Sequence, residues 1–95
     1  MSKGKDLSKE TIKNVIDILQ KNGYFNVRYD DYFKSFSVPY NIGGPVNIVS
    51  DDGKLYVSTT SSHYGLDEIK DYNKQLSNAI KTLEEISEID PELVA

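Results

Sequence analysis

Apolar positions follow a helical spacing near both ends of the chain and an alternating one between them. Ile12, Val15, Ile16 and Leu19 recur three and four residues apart, which sets them on one helix face. Ser8 precedes them as an N-cap, and Leu7 is placed to staple against Ile12. Lys21 falls in the last turn and Asn22–Gly23 is a stop signal, so a helix is predicted over residues 9–22. Ile69, Tyr72, Leu76, Ala79, Ile80, Leu83 and Ile86 hold the same spacing further on, which predicts a second helix over about residues 66–88. Asp67, Glu68 and Asp71 favour its positive N-terminal end, whereas Glu84, Glu85 and Glu88 crowd the other end unfavourably. Asp90–Pro91 closes it, Pro91 can open a short turn, and the tail after it is expected to fray.

The middle alternates. In YFNVRYDD, Phe25, Val27 and Tyr29 share one strand face, with Tyr24, Asn26 and Arg28 on the other. In YFKSFSVPY, Phe36, Val38 and Tyr40 share a face, and Pro39 makes the strand an edge or its end. VNIVS and KLYVSTT flank DDG, a hairpin signal because Gly53 takes a positive φ at little steric cost. Val46, Ile48, Leu55 and Val57 are its expected inward face. The element order is α-β-β-(β)-β-α. It predicts an α+β two-layer sandwich: an antiparallel sheet of three to four strands with the N- and C-terminal helices on one face. The chain reads as a single domain over residues 1–95, with 1–7 and 91–95 as fraying ends. The uncovered sheet face is left for solvent or a partner.

Composition narrows the function more than the fold. Ninety-five residues, 38% hydrophobic and 27% charged, suffice for one modest core. The absence of cysteine excludes disulfides and thiolate chemistry and suits a reducing cytoplasm. MSKGKDL has no apolar stretch after its lysines and does not read as a signal peptide. No apolar run approaches a membrane span.

Net charge is −4, and residues 67–95 hold three lysines against eight acids. Such an acidic third repels phosphate, so nucleic acid is not an expected partner, whereas a basic protein surface is. A solvated acidic helix explains the same run without any partner.

Candidate chemistry is sparse. One histidine cannot build a multi-histidine metal site. Asp51–Asp52 already has a turn to make, and the other adjacent carboxylates, Asp30–Asp31 and Glu84–Glu85, have no spacing that favours acid–base work. DDGKLYVSTTSS lacks the alternating acids and closing glutamate of a calcium loop, and GGP lacks a phosphate-loop lysine. The reading is therefore a protein that is not an enzyme and uses no metal or cofactor. The run from Ser58 to Ser62, followed by His63 and Tyr64, offers hydroxyl donors and a titratable ring near a helix start. Ser61, Ser62, His63 and Tyr64 thus form an alternative small-ligand site for an anion or nucleotide. Asp67 and Glu68 compete for the same positive end, and Ser61 or Ser62 can serve simply as a helix cap.

Seven tyrosines make up the other feature. Tyr24, Arg28 and Tyr56 fall on strand faces opposite the predicted core and form the candidate partner-binding set, since tyrosine and arginine dominate many interfaces. Covering a small sheet that is short of aliphatics would explain the tyrosines equally well.

The α-β-β-β-α order is similar to that of double-stranded-RNA-binding domains. Asp67, Glu68 and Asp71 stand where that family carries lysines, so its function is not expected here. The order, small size, acid bias and Lys-over-Arg usage also resemble small phage-encoded inhibitors, including some anti-CRISPR proteins. That resemblance implies a cytoplasmic inhibitor of a host protein, acting in the host cytoplasm if phage-encoded. Self-association through an open aromatic face or an edge strand near Pro39 is a further alternative.

Overall fold

Helix α1 runs from Lys9 to Lys21. The Ser8 hydroxyl accepts the Thr11 N–H at 3.1 Å, which satisfies a donor the helix start would otherwise leave unpaired. At its end the Asn22 amide donates back to the Ile18 carbonyl at 2.8 Å, and Gly23, at φ 95°, turns the chain away. The structure is a computed structural model and describes residues 6–39, 44–60 and 63–95.

The chain then forms strands β1 (Arg28–Asp30) and β2 (Ser35–Ser37), antiparallel, with Tyr29 opposite Phe36. Their rings meet edge to face at 5.0 Å. Asp30 shapes the loop between them, its Oδ1 accepting the N–H groups of Tyr32 and Phe33 at 2.8 and 2.9 Å. The alternation predicted from Tyr24 does not extend that far. Asn26 sits at φ 59°, outside the extended region, so the two-residue period breaks there. Tyr24 therefore packs against the core, and Phe25, expected inside, is 65% exposed.

Strands β3 (Val46–Asp51) and β4 (Lys54–Thr59) form the predicted hairpin, with Asp51 opposite Lys54. Its two loop residues, Asp52 and Gly53, take φ 53° and 78°, positive values that suit the right-handed twist of a tight hairpin. The register places Ile48 opposite Val57 and Ser50 opposite Leu55. Val46, Ile48 and Leu55 are buried, and Val57 packs beside them.

The four strands form two separate two-stranded antiparallel sheets, not one sheet of three to four strands. β2 ends at Ser37, two residues before Pro39, which has no N–H to donate to a ladder. Tyr40, expected on the β2 face, lies outside the described residues.

Helix α2 runs from Leu66 to Ile89. Its N-cap is Gly65 rather than Ser61 or Ser62, and the Gly65 N–H donates to Glu68 Oε1 at 3.0 Å. One core cluster unites the elements: Val15 and Leu19 from α1, Ala79, Leu83 and Ile86 from α2, and Val46, Ile48 and Leu55 from the second hairpin, joined by Val27 and Phe36. The helices are also tied by polar contacts. Asn78 donates to the Asn22 carbonyl at 2.9 Å, and Lys21 donates to Glu85 at 2.8 Å.

The end of the chain, expected to fray, is docked instead. Pro91–Leu93 makes one 3-10 turn capped by the Asp90 side chain, and Leu93 is buried. Val94 then bridges in parallel to Leu55. Among the described residues, no helix is long and apolar enough to cross a membrane.

Candidate binding surface

Alternation fixes what each hairpin turns away from the core. Since Ile48 and Leu55 point inward, Val49 and its cross-strand partner Tyr56 point outward. Tyr56 is 39% exposed. In the first hairpin Tyr29 and Phe36 point inward, so Arg28 and its partner Ser37 point outward, and both are exposed. Two of the three predicted partner-binding residues thus stand on outward strand faces. Tyr24 does not. It is half-buried beside Asn22, Gly23, Val46, Gln75 and Asn78 around a pocket of about 100 Å³. Burial raises its hydroxyl pKa, and a hydrogen bond from Asn78 opposes that shift.

The outward surface includes residues the sequence pattern had assigned otherwise. Tyr32 and Phe33 are 67% and 39% exposed and meet edge to face at 4.9 Å. They read as the start of a strand, yet they occupy the loop between β1 and β2. The available signal was Asp30, whose side chain competes with the ladder for backbone N–H groups.

Between the hairpins lies a cleft of about 300 Å³. Its walls are Ser35–Ser37 of β2 with Val38 just after it, Val49–Gly53 from β3 and its loop, and Phe33. Among the described residues, Asp51 and Asp52 are the charged members of this lining.

The alternative ligand site is less open. Ser61 and Ser62 lie outside the described residues. His63 is exposed, and Tyr64 turns inward, its hydroxyl 3.2 Å from that of Thr60 and its ring 5.5 Å from that of Tyr72. The N–H of Gly65 at the helix start is already taken by Glu68.

The chain matches no known family model, no curated protein and no solved structure. Its functional reading therefore rests on its own residues. Among the described residues, no group of three or more His, Asp or Glu side chains could hold a metal ion. Lys21 holds the Glu85 carboxyl below its usual range through their hydrogen bond. This pair joins the two helices, and neither residue lines the strand cleft.

Proposed function

We propose that this chain is a small, acidic, non-catalytic protein-binding module that recognises its partner through its strands. Both helices are taken to cover one side of the strands, as in a two-layer sandwich, and the opposite side is the recognition surface. The observation that carries this reading is the outward placement of Arg28 and Tyr56, one on each hairpin, with exposed Tyr32 and Phe33 nearby. Aromatic rings and arginine supply much of the energy at protein interfaces, and the acidic surface would steer a basic partner toward them. Size, charge and element order favour a cytoplasmic inhibitor of the kind phages and mobile elements encode. The hydroxyl-rich segment around His63 and Tyr64 is a weaker basis for function. Glu68 takes the N–H of Gly65, the N-cap of α2, and Tyr64 packs on Tyr72.

The test is affinity capture from a bacterial lysate at low and high salt, comparing the wild-type chain with an Arg28→Ala/Tyr56→Ala double variant. A protein held by the wild type and lost from an equally stable double variant supports the reading. Identical captured proteins on both chains overturn it.

A further inference from the structure

Asn22 caps the end of α1 and is followed by Gly23, the one Asn–Gly pair in the chain. That pair has a chemistry beyond its role as a helix stop. Asparagine is a labile residue, because the next backbone nitrogen can attack its side-chain amide carbon and close a succinimide ring. Glycine at the next position leaves that nitrogen unshielded, having no Cβ. A Cβ built at Gly23 would meet nothing within 4 Å, so no neighbouring side chain crowds the turn either. Gly23 is exposed and Asn22 half-buried, and water reaches both.

The fold holds the reacting groups apart. Asn22 Nδ2 donates to the Ile18 carbonyl at 2.8 Å, and the Gly23 N–H donates to the Gln20 carbonyl at 3.1 Å. Deprotonating the Gly23 nitrogen breaks the second bond, and turning the Asn22 amide carbon toward it breaks the first. The last turn of α1 must therefore open before the ring can close.

We infer that Asn22 is a deamidation site gated by the fold, which reacts only when the end of α1 opens and whose product weakens the α1–α2 junction. In the step, the deprotonated Gly23 nitrogen attacks Asn22 Cγ. The N–Cγ bond forms, the Cγ–Nδ2 bond breaks, and the amide nitrogen leaves as ammonia, carrying the proton that Gly23 gave up. Water then adds to either ring carbonyl and opens the ring, which leaves aspartate or isoaspartate at position 22. Water is the only co-reactant.

The product is at odds with its surroundings. An ionised carboxylate has no hydrogen to donate to the Ile18 carbonyl, and it stands at the negative end of the α1 dipole. It also stands beside Glu85. Lys21 first, and the Asn22 amide to a smaller degree, favour the charged Glu85 carboxyl. Replacing that amide by a second carboxylate turns support into like-charge repulsion. Isoaspartate goes further, because it reroutes the backbone through the side chain. The carbonyl that accepts the Asn78 amide at 2.9 Å then becomes a free carboxylate. This inference is independent of the protein-binding reading.

The test incubates the full-length chain at neutral pH in native buffer and in urea, and follows position 22 by peptide-mapping mass spectrometry. Conversion of the amide to an acid, with isoaspartate among the products, is expected in urea. In native buffer it should be slower by about ten- to a hundredfold or more, because two hydrogen bonds must open first. Gly23→Ala should suppress the conversion in urea, where its effect on the fold does not enter. Asn22→Asp should lower the urea midpoint below that of Asn22→Ala, which loses the same donor without adding charge. Equal rates in the two buffers would remove the gating. No conversion in urea, or undiminished conversion in the Gly23→Ala chain, would remove the reaction through Gly23. An Asn22→Asp midpoint equal to or above that of Asn22→Ala would remove the effect on the junction. Each of these results overturns the inference.

Discussion

The Leu55 carbonyl accepts the N–H of Ala95, and so the last residue of the chain closes part of an edge of β4. Leu93 anchors that closure from the core, where it is 5% exposed. Replacing a buried leucine by alanine typically costs about 2–5 kcal/mol, a large share of a small domain's stability. Leu93→Ala should therefore lower the denaturation midpoint strongly and speed amide exchange at Leu55. A midpoint within error of wild type would mean that the end of the chain is not part of the folded core.

Gly53 is one of two consecutive positive-φ residues in the hairpin loop. An L side chain there is strained by about 1 kcal/mol. Gly53→Ala should destabilise the chain by about that amount, measured by urea denaturation, and a midpoint equal to wild type would show that the turn tolerates a side chain there.

Tyr29 carries a buried hydroxyl with no hydrogen-bond partner among the described residues, and burial is the main reason its pKa is raised. A buried polar group left unpaired costs about 1–3 kcal/mol. Tyr29→Phe keeps the edge-to-face contact with Phe36 and removes that penalty. It should leave stability unchanged or raise it by about 1 kcal/mol, and a loss of that size would reveal a partner for the hydroxyl.

Glu85 predicts a pH dependence. Lys21 lowers its pKa in the folded state, so the folded protein binds that proton less readily than the unfolded chain. The pair therefore stabilises the fold above the ordinary carboxylate range and loses its effect as the pH falls through the folded-state value. In thermal melts from neutrality down to about pH 3, Lys21→Met should lie below wild type near neutrality and converge with it in acid. A constant gap across that range would assign the effect to packing of the lysine stem instead.

Much of the fold was legible in the sequence because its strongest signals are local. Ser8, the spacing of Val15 and Leu19, and Gly53 each act within a few residues, and α1, α2 and the second hairpin stand where they were expected. The first hairpin was less legible. One left-handed residue, Asn26, reverses the assignments of Tyr24 and Phe25, and asparagine adopts that conformation without requiring it. The separation into two sheets depends on how β2 sits against β3, a long-range matter that alternation cannot encode. Arg28 and Tyr56 could be placed on outward faces because their neighbours had a clear period. The cleft could not be foreseen, because its walls come from two hairpins whose relative position is set by the shared core.

The most direct measurement is hydrogen–deuterium exchange of the chain with and without the protein it captures. Recognition through the strands predicts slowed exchange at Arg28–Asp30, Ser35–Ser37 and Val49–Tyr56, with α2 unchanged. Protection confined to α2, or to the segment around His63 and Tyr64, would contradict it.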